Sequence, residues 1–228
     1  ALKSADAVVA DSEYLLSEAR KLAPLKQTLV SPLGIEKKYL ELHRKSYELS
    51  RPLKIIIPRP HEAVYNNLFI LQSLSTQLKT GQISLTLPDF GSLVNEFKFH
   101  CRTLNITGVS FYRRCEREEF LKLMSTHDVY LSASRSDSSP VSLIEAMALG
   151  LIPVVAKIPG IEEWAKDSGA LTFEQVNSDE LVSVIKEIIS GSTLEDMHKK
   201  NLERVRSKAI YEDNIAARIE MMKQLEIK

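Results

Sequence analysis

The chain has 228 residues, 44% hydrophobic and 26% charged, a balance that describes a folded globular protein with a large buried core and excludes a disordered one. Its 30 Lys and Arg offset 30 Asp and Glu, so the formal net charge is zero and the overall balance makes no case for nucleic acid or an acidic surface as partner. No apolar run reaches the ~20 residues of a membrane span and no charged-then-apolar leader opens the chain; Cys101 and Cys115 form neither a disulfide framework nor a zinc site, and read as free thiols in a reducing, cytoplasmic setting.

In chain order, residues 7–11 read as a short strand, Ser12 as an N-cap, and 13–22 as a helix with Leu15, Leu16, Ala19 and Leu22 on one face, ended by Pro24. Residues 27–31 are a second strand, running into the turn Ser31-Pro32-Leu33-Gly34-Ile35, and 36–49 a charged amphipathic segment. Strands at 53–57, 83–87, 109–112, 129–133, 152–156 and 170–173 then alternate with helices at 67–79, 91–104, 116–125, 140–149, 162–166 and 178–190, the last capped by Ser178. This rhythm predicts an α/β fold, a doubly wound, Rossmann-like parallel sheet with ligand beyond the carboxyl ends of its strands. Two long amphipathic helices close the chain, at 193–207 and 211–226; they suit either a closing hairpin or a helix crossing to another domain.

The stretch most suited to a ligand is 131–160. Here Ser139-Pro140 is expected to start a helix, the serine as N-cap and the proline at N1, and Gly150 to end it in the left-handed conformation. Such a helix start presents unpaired N–H groups and the positive end of a dipole, which favours a phosphate. Asp137 precedes the helix and Glu145 lies about 9 Å along its axis. Alone, Asp137 would be a loop acid assisting the cap and Glu145 an exposed helix charge; together they suit an extended ligand offering hydroxyls to both.

Asp137, Glu145-Ala146-Met147-Ala148-Leu149-Gly150, Pro153-Val154-Val155 and Gly160-Ile161-Glu162-Glu163 together resemble the donor-site signature of group 1 glycosyltransferases, the retaining, metal-independent GT-B enzymes. The resemblance implies a nucleotide-diphosphate sugar as donor, UDP- or GDP-linked, with no further cofactor and no metal. It implies Arg59 and Asp137 as catalytic residues and Ser138, Ser139, Pro140, Val141, Ser142 and Glu145 as donor-binding residues. It also implies that 1–30 is the tail of an acceptor domain, 31–52 a linker, 53–210 the donor domain and 211–228 a crossing helix. The isolated chain is then expected to transfer no sugar. The acceptor, a glycan, lipid or small molecule, stays open, as does peripheral membrane association through the missing domain.

The family pattern is broken in places. Pro58 stands where glycine is usual, Arg59 keeps the first cation, and Val64 or Tyr65 falls where a lysine is expected; no Lys or Arg occurs between Arg59 and Lys79. Leu87-Pro88-Asp89-Phe90-Gly91 keeps one glycine of a usually glycine-rich turn. These departures favour a second reading, a binding or regulatory domain that has lost turnover; a different doubly wound protein, receiver-like or epimerase-like, is a third. Arg113-Arg114 reads most simply as solvated surface, the alternative being a face toward a phosphate, His127-Asp128 as structural, and Glu163 as a helix N-terminal acid. His43, His61, His100, His127 and His198 have no ligand spacing.

Overall fold

Short apolar strands joined by helices pair in parallel, because each crossover returns the chain to the same edge before the next strand starts. The computed structural model describes residues 1–191 and 194–226. Strand β1 (Ala7–Ala10), helix α1 (Glu13–Leu22) and strand β2 (Gln27–Val30) make a first unit, a two-stranded parallel sheet with its crossover helix. The Ser12 hydroxyl accepts from the Leu15 amide at 3.2 Å, the cap expected there.

The main sheet is built from β3 (Leu53–Ile56), β4 (Ile83–Pro88), β5 (Val109–Tyr112), β6 (Val129–Ser132), β7 (Ile152–Ala156) and β8 (Leu171–Phe173). Their order is β5-β4-β3-β6-β7-β8, all parallel. The chain therefore runs outward from β3 to β5, returns to lay β6 beside β3, and runs outward the other way. The loops after β3 and β6 diverge at this reversal, which opens a crevice at the carboxyl edge.

Helices cover both faces: α2 (Asn67–Ser73), α3 (Ser75–Lys79), α4 (Val94–Thr103) and α5 (Arg117–Ser125), then α6 (Val141–Leu149), α7 (Pro159–Ala165), α8 (Ser178–Ser190) and α9 (Leu194–Lys208). Alternation along β3 divides the core. Ile55 and Ile57 join Ile70, Leu74, Phe97, Leu181 and Ile185 on one side, whereas Ile56 joins Tyr130, Leu121, Leu143, Met147 and Val205 on the other. The last helix, α10 (Tyr211–Glu226), reaches the first unit: Arg218 donates to the Ser31 hydroxyl at 2.7 Å and Asn214 to the Pro32 carbonyl at 2.9 Å.

Several expected elements are corrected. The 67–79 helix is interrupted at Leu74 (φ −97°, ψ 11°), flanked by Ser73 and Ser75, although the Leu74 amide still bonds the Ile70 carbonyl and the Leu78 amide the Leu74 carbonyl. The 91–104 helix starts only at Val94, because Gly91 takes φ 120° against the backbone of His61. The 36–49 segment is a 3-10 helix, Lys37–Leu42, followed by irregular chain. There Arg44 bonds the Ser46 and Glu48 carbonyls and buried Asp128, which also accepts the Ser50 and Lys54 amides; a helix would consume those carbonyls. The cap of α8 is Asn177, whose side chain accepts from Glu180 N, rather than Ser178. The 162–166 helix begins at Pro159, whose fixed φ is preorganised for a first turn. Thr193, expected to open the ninth helix, and Ile227 and Lys228, at the end of the expected crossing helix, lie outside the described residues.

Candidate functional site at the carboxyl edge of the sheet

Helix α6 starts one residue later than expected. Pro140 (φ −70°, ψ 110°) holds the cap position, and its carbonyl accepts from the Leu143 and Ile144 amides at 3.0 and 3.3 Å. Ser139 is therefore not the cap. Its hydroxyl is buried and accepts from the Trp164 indole at 3.2 Å, which ties the loop to α7. The Val141 and Ser142 amides have no acceptor among the described residues, so the positive end of α6 faces the crevice. Gly150 ends the helix with φ 83°, as the sequence predicts.

The loops at the chain reversal bring Arg59 and Asp137 together as an ion pair, with side chains only 16% and 18% exposed. The Asp137 carboxylate also accepts the Ser138 amide at 2.9 Å. The Arg59 guanidinium lies 5.3 Å from the centroid of the Tyr65 ring, so the residue at the expected lysine position props Arg59 from one face instead of adding a charge. Burial works against the charge on Arg59, but Tyr130, Asp137 and Tyr65 together more than offset it and raise its pKa.

Glu145, read alone as an exposed helix charge, is buried, its side chain 6% exposed, and pairs with Arg117 of α5 at 3.0 Å. Burial pushes its pKa up to about 7, against the opposing pull of Arg117 and Arg59. One turn earlier, the Ser142 hydroxyl meets Tyr130 at 3.2 Å. The Ser138 hydroxyl points the other way and donates to Asp11, at the end of β1, at 3.2 Å.

Beyond β4 and β5 the edge becomes aromatic. A cavity of about 430 Å³ is lined by Pro58, Phe90, Tyr112, Arg114, Cys115 and Phe120. Arg114 is exposed, as the sequence predicts, and stacks on Phe90 at 4.4 Å. The turn at 87–91 stands out in the sequence, but the aromatic lining of this pocket and Arg117 do not. The available signal was position: Phe90 and Arg114 each lie two residues past the end of a strand, where ligands of open α/β sheets gather. A larger cavity, about 940 Å³, lies between Tyr47, Leu53, Gln82 and Ile189 at the amino edge, away from every residue of the crevice.

Other candidates are structural. His61 is buried, its Nε2 3.0 Å from the Pro88 carbonyl, and burial lowers its pKa. His127 bridges Thr86 Oγ1 and the Leu123 carbonyl at 2.8 and 2.9 Å. Glu163 caps a helix other than its own, accepting the Glu13 and Tyr14 amides of α1 at 3.1 Å. Among the described residues no group of three or more His, Cys, Asp or Glu is placed to hold a metal ion.

An open α/β sheet with a guanidinium, two carboxylates and a free helix N-terminus at its point of reversal defines a crevice for an extended polar ligand. The chain belongs to the group 1 glycosyltransferases, whose family model, described as "Glycosyl transferases group 1", it matches over residues 68–205. Solved structures agree on the fold, the GT-B type. Sucrose-phosphate synthase from Thermosynechococcus elongatus superposes with TM-score 0.83 at 18% identity, over 99% of this chain and 60% of that one. A glycosyltransferase from Rickettsia africae gives 0.81 at 17%, over 96% and 63%. Anabaena Alr3699/HepE, solved with UDP and glucose, gives 0.82 at 16%, over 96% and 63%. The chain thus spans about three-fifths of the length of these relatives. No curated protein matches it significantly.

Proposed function

We propose that this chain forms the donor-binding half of a retaining, metal-independent glycosyltransferase that takes a UDP- or GDP-sugar. The base lies in the pocket of Phe90, Tyr112 and Phe120, and the ribose hydroxyls donate to Glu145. The diphosphate rests on the Val141 and Ser142 amides and Arg59, which places the sugar toward Asp137. The observation that carries this reading is the convergence of Arg59, Asp137, Glu145 and the open end of α6 at the chain reversal. HepE, solved with UDP and glucose, supports it by likeness of fold.

In this reading the protein supplies placement and electrostatics. Arg59 and the helix amides stabilise charge developing on the departing diphosphate, on the same face from which the acceptor attacks. A second reading, a binder without turnover, draws on one observation: Tyr65 supplies an aromatic face where a second cation would speed departure. Turnover assays on the longer protein with glycan, lipid and small-molecule acceptors separate the two.

Calorimetry of UDP, GDP and their glucose conjugates tests the donor site. Glu145→Gln should weaken binding of nucleotide and conjugate alike, by about 10- to 100-fold, since a hydrogen bond to a charged acceptor contributes about 1.5–3 kcal/mol. Asp137→Ala should weaken the conjugates more than the free nucleotides. Wild-type affinity in both variants would refute the assignment.

A further inference from the structure

Arg117 has no local reason to be where it is. It opens α5, behind the extended N-cap residue Glu116, where the helix dipole disfavours a cation. Its neighbour Glu118 pairs with Lys122 at 2.6 Å and so does not hold it. Instead its side chain, 45% exposed, crosses to α6 and meets the almost fully buried carboxylate of Glu145.

We propose that Arg117 is a positioning residue for the donor's ribose, holding the Glu145 carboxylate charged and aimed so that it accepts both ribose hydroxyls. The proposal rests on the donor-site reading above. A carboxylate accepts at both oxygens, whereas a protonated carboxyl turns one of them into a donor. Arg117 meets Oε1 from the exposed side, and Glu145 can receive a ligand only while it stays ionised in a dry setting.

The surroundings leave this task to few groups. Arg117 from α5 and Arg59 from the loop after β3 are the charges that bear on Glu145. Strand β6 offers Tyr130, which meets Ser142, and β7 is Ile-Pro-Val-Val-Ala, without a titratable group. Helix α9 sends Arg204 to the Glu163 carbonyl. His43, after the 3-10 helix, meets the Ala148 carbonyl at the far end of α6.

The test has two arms on the full chain. In the first, the Glu145 carboxyl is titrated by carbon-detected NMR without ligand. The wild type should titrate near 7, Arg117→Ala about one unit higher, and Arg117→Lys close to the wild type. An unmoved titration in Arg117→Ala would overturn the proposal. In the second, UDP-glucose and GDP-glucose, whose bridged diphosphates do not titrate in this range, are bound from about pH 6 to about pH 9. Wild-type affinity should rise through the Glu145 titration, and Arg117→Ala should bind about fivefold more weakly near neutrality and converge on the wild type by about pH 9. A loss equal at every pH would mean that Arg117 touches the ligand directly, and overturns the proposal. If the wild type binds neither conjugate, the donor-site reading falls, and the ribose role with it, even where the first arm succeeds.

Discussion

Arg59→Ala should weaken binding of the nucleotide-sugar by about 2–4 kcal/mol, roughly 30- to 1,000-fold, because it removes the cation of the proposed phosphate site and strands Asp137. Both members of the pair are largely buried, so the lost charge is not replaced by solvent. Arg59→Lys keeps the charge but loses the planar fork and the stacking on Tyr65, and should recover only part of the loss. Calorimetry of both variants, with melting temperatures to show that the fold persists, checks this. Full wild-type affinity in Arg59→Ala would mean that the diphosphate lies elsewhere.

Gly160→Ala should damage both the fold and the site, because the added methyl would meet the loop that carries Asp137. A Cβ at Gly160 would sit 2.3 Å from the Ser138 carbonyl oxygen, 2.5 Å from that of Asp137 and 2.7 Å from the Ser138 Cα. All three are backbone atoms, so the 137–138 loop must move, and with it the partner of Arg59. Overpacking of this kind costs about 1–3 kcal/mol of stability, sometimes more, and the displaced loop should also lower nucleotide affinity at least about tenfold. Gly81→Ala is the matched control: its φ of 67° carries strain, but nothing lies within 4 Å of the added methyl. It should cost about 1–2 kcal/mol and leave binding untouched. Equal binding by Gly160→Ala and the wild type would show that the loop is not part of the site.

The legible part of this chain is the part governed by local pattern. Residues 109–112, 152–156, 13–22, 178–190 and 211–226 fold with the bounds their periodicity predicts, because each is an uninterrupted stretch with turn or capping residues at its ends. The alternation of strand and helix likewise gave the doubly wound sheet. The motif at 137–163 named the family, since its acids, glycines and apolar strand lie close together in the chain. What stayed hidden depends on distant contacts. Arg59 and Asp137 pair across 78 positions, and nothing near Arg59 announces its partner. The burial of Glu145 follows from α5 lying over α6, and its raised pKa from that burial. Ser139 made a good cap on paper, but Trp164 of α7 claims its hydroxyl and Pro140 takes the cap position. The aromatic pocket escaped notice because Phe90, Tyr112 and Phe120 come from three elements that only the sheet order places side by side.

In the proposed function the ligand lies along the carboxyl edge, from the aromatic pocket past Glu145 to the open end of α6. Chemical-shift mapping of the labelled chain during titration with UDP-glucose, and in parallel GDP-glucose, tests it most directly. One of the two should shift the amides of Val141, Ser142 and Leu143, the guanidinium of Arg59 and the ring of Tyr112, while Tyr47, Gly81 and Gly191 stay in place. Shifts confined to Tyr47, Gly81, Gln82 and Gly191, around the amino-edge cavity, with 137–145 unmoved, would contradict it.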